Sequence, residues 1–235
     1  MTDHTNKQFD AEMESIRSGV LSMGGIVEQQ MTRAIEALEK EEDAARIDAV
    51  GADEAAINQM QITIDQECAQ IIAKRQPTAI DLRMVLTVTK IITDLERIGD
   101  EVKKIAYKAA GARGSEQLAR VRYYDTAKAL DHAMTMLRLA LDAFARLDIV
   151  AASEVIDRDA DVDAAFASIL RQLVSYMVED PRTITPALEI VFIAKSIERI
   201  GDHAKNIAEA IVQVVKGKDV RHTSAAEIRA EVAQP

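Results

Sequence analysis

The pentapeptide Glu-Arg-Ile-Gly-Asp occurs twice, as Glu96–Asp100 and as Glu198–Asp202, 102 residues apart in a chain of 235. Five identical residues recurring at that interval point to an internal duplication, so the fold must be one that can be built twice within one chain. Each copy lies among apolar residues that recur every three or four positions, the signature of an amphipathic helix. On a helix, Glu and Asp four residues apart share a face, so each copy presents two carboxylates side by side. The same five residues therefore constrain both architecture and chemistry.

The periodicity extends along the whole chain. Phe9, Met13, Ile16, Val20, Met23, Val27, Met31, Ala34 and Leu38 predict a first helix over about 6–40. Gly24 and Gly25 fall inside it and mark close helix packing or a kink. A second helix runs from about Asp43 to Lys74 and stops at Pro77; a third starts near Thr78 and carries Leu82 through Ile105. Tyr107 to Gln117, with Gly111 and Gly114, reads as the linker. Three more helices follow, carrying Leu130 to Phe144, Val155 to Met177 and Leu188 to Val214; the fifth stops before Pro181 and the sixth near Gly217. The tail from Lys218 is polar, frayed or partly helical.

The two halves also align outside the pentapeptide. Ala34–Leu38 matches Ala140–Phe144 at an offset of 106, and Glu54–Asn58 matches Asp159–Asp163 at 105. The drifting offset places short insertions at helix–helix turns, where they are tolerated. The expected fold is all-α: two tandem, internally duplicated three-helix bundles at 1–111 and 112–217, then a polar tail at 218–235.

Composition narrows the function. Hydrophobic residues make up 48 %, aromatics only 3 %, and Trp is absent, so the core is aliphatic and base-stacking platforms are not expected. A net charge of −10 speaks against a nucleic-acid partner and suits metal cations or a basic protein surface. The single cysteine, Cys68, fits a reducing compartment and reads as a small buried apolar side chain. No apolar run has the length of a signal peptide or a membrane span, so the expectation is a cytoplasmic protein without membrane insertion.

The candidate chemistry is metal binding. Each pentapeptide has a companion on the preceding helix: Glu54 and Asn58 for Glu96 and Asp100, Asp159 and Asp163 for Glu198 and Asp202. Asn58 and Glu96 each lie 19 residues from Pro77, so on antiparallel helices they stand level. Asp163 and Glu198 lie 18 and 17 residues from Pro181. All-oxygen ligation favours hard cations such as Mg²⁺, Mn²⁺ or Ca²⁺; Fe and Zn remain open. A glycine inside each signature helix costs about 1 kcal/mol relative to alanine, which suggests a close backbone approach there. His203 sits about 100° round the helix from Asp202 and is at most peripheral. Asp94 is a weaker candidate because its counterpart is Ser196. Lys74, Arg75 and Arg83 near the Pro77 turn read as a charged turn or as an anion or protein contact. No phosphate-binding loop, nucleophile set or Glu-x-x-His di-iron pattern is present.

At these residues the chain resembles the PhoU family of phosphate-uptake regulators. The resemblance rests on both Glu-Arg-Ile-Gly-Asp copies, on Ile71–Pro77 with Asp81-Leu82-Arg83, on Met23-Gly24-Gly25, on Ala143–Arg146, and on Tyr176–Asp180 with Arg182-Thr183-Ile184. It implies metal ions or clusters (Mg, Mn, Fe or Zn) on the acidic signature helices, held by Glu96, Asp100, Glu198 and Asp202 with Glu54, Asn58, Asp159 and Asp163. It also implies a non-enzymatic negative regulator of the phosphate-starvation response, a homodimer linking a phosphate ABC transporter ATPase to a membrane sensor histidine kinase. The competing expectation is a carboxylate-bridged metalloenzyme, a hydrolase or ferroxidase-like protein. Asn58, opposite Asp163 in the other half, is a departure that weakens the first site.

Overall fold

The structure, a computed structural model, describes residues 2–39, 44–111, 118–220, 223 and 225–232. It contains α1 (Thr2–Glu39), α2 (Ala44–Arg75), α3 (Ala79–Gly111), a π-helical turn (Val121–Asp125), α4 (Thr126–Arg146), α5 (Ile149–Glu179), a 3₁₀ turn (Pro181–Thr183), α6 (Ile184–Lys216) and α7 (Ala225–Val232). No strand occurs among the described residues.

The turns follow from local chemistry. Around Pro77, Gln76 and Ala79 take positive φ of 49° and 47°, reversing the chain between α2 and α3. A side chain in this left-handed region is strained, so the long packed helices on either side must hold it there. Between α4 and α5 the reversal falls on Leu147, with φ 53°. The Asp148 carboxylate then caps α5, accepting from the amides of Val150 and Ala151. Gly217, φ 73°, closes α6 in the conformation that glycine adopts most cheaply.

α1, α2 and α3 pack together, and α4, α5 and α6 repeat the arrangement. The bundles do not stand apart, because α3 packs extensively on α6 and α1 on α4. Ile16, Met23, Leu95, Phe144, Ile197 and Ile207 belong to one continuous core drawn from both halves. Each such side chain contributes about 1.5–3 kcal/mol on leaving water. Across α3 and α6, Lys90 meets Gln213, Asp94 meets Asn206 and His203, Glu101 meets Arg199, and Lys108 meets Glu189. Numbers rise on one helix as they fall on the other, so the helices run antiparallel. That brings Gly99 and Gly201 level, and the bundles face each other about an approximate two-fold axis.

One expectation needs adjustment and two resolve between their alternatives. Tyr107–Gly111 is the last turn and a half of α3 rather than linker, and 112–117 lie outside the described residues. The tail contains α7, which packs on α5 with Ile228 buried and Arg229 bonded to Asp157 at 2.7 Å. The adjacent glycines 24 and 25 of α1 also differ: a Cβ on Gly24 would meet Leu141 Cδ1 at 2.5 Å, while one on Gly25 would meet nothing within 4 Å. Close packing of α1 against α4 is thus the role of Gly24 alone.

Candidate metal centre

α2 and α3 bring the first set together. Asn58 Nδ2 donates to Glu54 Oε1 at 3.0 Å, and Lys103 Nζ donates to Glu54 Oε2 at 3.0 Å. Burial pushes the Glu96 carboxyl above its ordinary range, followed by repulsion from Asp100 and Glu54, with Arg97 and His203 opposing. Asn58 Oδ1 is buried and accepts no hydrogen bond. An amide oxygen withdrawn from water without a donor costs about 1–3 kcal/mol, so the site has an unspent acceptor.

The second set, between α5 and α6, is equivalent and more heavily charged. Lys205 Nζ donates to Asp159 Oδ2 at 2.7 Å, and Lys195 donates to Glu198. The Asp163 carboxyl is pushed up by burial, then by Asp159 and Glu198. Asp202 is pushed up by burial, then by Glu198, Asp159 and Asp163. The two helices therefore bring all four carboxylates into mutual electrostatic range. Lys103 and Lys205 are raised by their carboxylate partners, Glu54 and Asp159.

The glycines explain how the helices come this close. A Cβ on Gly99 would lie 3.1 Å from Ile57 Cδ1, and one on Gly201 3.2 Å from Val162 Cγ1. Ile57 and Val162 immediately precede Asn58 and Asp163. In both bundles the absent side chain seats the neighbouring helix beside its ligand candidates, so the close approach is between helices.

The donors suit a hard cation: six Asp or Glu carboxylates in the two proposed ligand pairs of the signature helices and Asp159 and Asp163, Glu54 besides, and a buried amide oxygen with no donor. Among the described residues, however, no three His, Cys, Asp or Glu side chains already stand in an arrangement that would hold an ion. Glu54, Asp159 and Glu198 instead each accept from a lysine. Lys103 and Lys205 were missed in the sequence, although the repeat extends to Glu-Arg-Ile-Gly-Asp-x-x-Lys at the same offset of 102.

The other candidates are engaged in contacts of their own. His203 Nδ1 meets Asp94 Oδ1 at 2.8 Å, so this pair bridges the bundles. Cys68 is fully buried, and burial pushes its thiol up to about 12, which leaves it unreactive. At the Pro77 turn, Arg75 grips Glu12 with two bonds of 2.9 and 2.7 Å and Lys74 bonds Gln70 at 3.1 Å. Two of the three cations there are thus engaged within the chain.

Comparison with known proteins agrees with this duplicated layout. The family model described as PhoU domain matches residues 20–109 and again 126–211. The chain is 44 % identical over 232 residues to a phosphate-specific transport system accessory protein PhoU homolog of Pseudomonas putida, covering 99 % of this chain and 90 % of the relative. It is 42 % identical to the accessory protein PhoU of Escherichia coli K12, covering 97 % and 93 %. The crystal structure of PhoU from Pseudomonas aeruginosa superposes with a TM-score of 0.81 at 42 % identity, covering 89 % of this chain and all of that one. The phosphate transport system regulatory protein PhoU from Streptococcus pneumoniae superposes with a TM-score of 0.80 at 25 % identity, covering 90 % and 99 %.

Proposed function

This chain belongs to the PhoU family, and from that premise we propose that it is a metal-binding cytoplasmic adaptor that regulates phosphate uptake. It acts as a negative regulator of the phosphate-starvation response without catalysing a reaction. Its partners are the ATPase of a phosphate ABC transporter and a membrane sensor histidine kinase, which it reaches as a homodimer. The observation that carries the regulatory reading is near full-length likeness, at more than 40 % identity, to phosphate-specific transport accessory proteins. No helix among the described residues is long and apolar enough to cross a membrane, which suits a partner that docks on membrane proteins from outside the bilayer.

In this reading Glu54, Asn58, Glu96 and Asp100 hold one ion or cluster, and Asp159, Asp163, Glu198 and Asp202 the other. The bound ion supplies a fixed positive charge that relieves repulsion among the carboxylates. The chain's own residues do the remaining work. Gly99 and Gly201 let the ligand-bearing helices close, and Lys103 and Lys205 orient Glu54 and Asp159 through hydrogen bonds. The chemistry of the donor set leaves Mg, Mn, Fe and Zn as candidates, with the hard ions favoured.

The reading predicts that deleting the gene releases an alkaline phosphatase reporter in high phosphate and that the wild-type gene restores repression. Unchanged repression in the deletion strain contradicts it.

A further inference from the structure

A fully buried amide distinguishes the first half from the second. Gln30 of α1 is 0 % exposed and stands where α1 meets both hairpin helices of the first bundle. Its Nε2 donates to the Val50 carbonyl of α2 at 3.2 Å. Its Oε1 faces α3, 3.3 Å from where a Cβ on Gly99 would lie, and among the described residues nothing donates to it. In an α-helix the Val50 carbonyl also receives the amide of the residue four further on, which is Glu54. Gln30 therefore grips the turn of α2 that leads into Glu54 and lies against the turn of α3 that leads into Asp100. One turn along α1, Arg33 holds the same stretch of α2 through the Asp53 carboxylate and the Ala49 carbonyl.

The duplication shows that the fold does not need these groups. At the offset of 106 that aligns Ala34–Leu38 with Ala140–Phe144, Gln30 corresponds to Met136 and Arg33 to Leu139. Met136 is buried, and the three atoms nearest to a Cβ on Gly201 all belong to Val162. Methionine is unbranched like glutamine and brings no amide to satisfy, so it is the less costly core residue. What differs beside it is the ligand set. Glu54 stands where the second half has Asp159, and Asn58 where it has Asp163. Glutamate has one more rotatable bond than aspartate, so its own helix fixes its carboxylate less firmly. The half with the longer acid and the neutral amide is the half whose second helix is tied to α1 by polar bonds.

We infer that Gln30 is a positioning residue of the first ion site: it fixes the α2 turn before Glu54 against α3, so that Glu54 and Asn58 converge on Glu96 and Asp100. A buried carbonyl oxygen without a donor is a standing cost to stability, which a side chain kept for packing alone would not carry. Groups that orient ligands without touching the ion change metal affinity by about 10–100-fold when they are removed. The inference rests on the metal-binding reading and extends the first site to a residue outside its two acidic pairs.

Calorimetry with Mn²⁺ on the full-length protein tests it. Asp163→Asn with Asp202→Asn is the background in which the first site is read, and Glu96→Gln with Asp100→Asn the background for the second. Gln30→Met installs the second half's own residue. It should weaken Mn²⁺ binding about tenfold in the first background and change it less than about twofold in the second. The ion-free thermal melt should stay or rise, because the orphaned oxygen is gone and the Val50 carbonyl keeps the Glu54 amide. Unchanged affinity at the first site, or a similar loss in both backgrounds, overturns the proposal. So does weaker binding together with a lower melt, which marks an ordinary core contact. Mn²⁺ binding by the wild type that Gln30→Met leaves untouched removes this inference alone. A wild-type protein that binds no Mn²⁺ removes the metal-binding reading and this inference with it.

Discussion

The two acidic sets are built on the same scaffold and carry different charge. The first holds three carboxylates and one amide, Glu54, Glu96, Asp100 and Asn58; the second holds four carboxylates, Asp159, Asp163, Glu198 and Asp202. Burial and neighbouring carboxylates push up Glu96 in the first, and Asp163 and Asp202 in the second. What both halves share is the device that positions the groups, a glycine at 99 or 201 and a lysine at 103 or 205. Duplication has thus kept the geometry of helix approach and let ligand charge vary. The second site should hold cations more tightly.

Removing charge from the second site breaks that comparison most severely. Asp163→Asn with Asp202→Asn should lower Mn²⁺ affinity there by about 100-fold, read by calorimetry on ion-free protein. In the opposite direction, Asn58→Asp should raise affinity at the first site by about tenfold and bring the two isotherms together. Failure of both variants to move the isotherms removes the carboxylates from ion binding.

The positioning device comes next in size. Gly201→Val pushes three heavy atoms toward Val162, which a bare Cβ would already meet at 3.2 Å. Overpacking of this kind costs about 1–3 kcal/mol, and Gly99→Val against Ile57 should cost a similar amount in chemical denaturation. A large loss at only one of the glycines would show that the halves do not share the device.

The raised carboxyls set a pH dependence with a definite sign. A carboxyl whose folded pKa is raised contributes stability at pH below its unfolded value, lost as pH rises through the folded one. Ion-free protein should therefore gain stability from Glu96, Asp163 and Asp202 as pH falls from neutral into the upper carboxylate range. Glu12 and Asp180 are lowered, by Arg75 and Arg182, and oppose this only at lower pH, as they protonate. Added Mn²⁺ should raise the melting temperature at neutral pH and do little in acid. A melt that is flat with pH and unmoved by Mn²⁺ contradicts the crowding.

The smallest effect concerns α1. Gly25→Ala meets no neighbour and should be neutral or stabilising by up to about 1 kcal/mol, whereas Gly24→Ala must displace Leu141 and should destabilise. Thermal melts of the two alanine variants distinguish a packing glycine from an idle one.

Much of this was legible in the sequence because helices have one period and proline marks their turns. Counting from Pro77 and Pro181 placed the ligand candidates level across each hairpin, and the described helices pair as that counting required. The α3/α6 contact was not legible. It depends on pairs such as Glu101 with Arg199 and Asp94 with His203, whose partners lie about a hundred residues away without a shared motif. Glu101 is buried at that contact, and no local pattern announces a buried acid paired across bundles. Lys103 and Lys205 were legible in principle, since the repeat extends to them, but a lysine on a helix is ordinarily a solvated one. The Tyr107–Gly111 turn was misread because glycine signals a break, while burial of Ile105 and Ala106 carries α3 through to Gly111.

The central claim is that a duplicated pair of helix hairpins binds metal ions through Glu54, Asn58, Glu96 and Asp100 and through Asp159, Asp163, Glu198 and Asp202. Anomalous diffraction from crystals soaked in Mn²⁺ tests it most directly. The account predicts peaks between α2 and α3 and between α5 and α6, the second stronger. Fully ordered hairpins with no anomalous peak at either place, or peaks only elsewhere on the molecule, would contradict it.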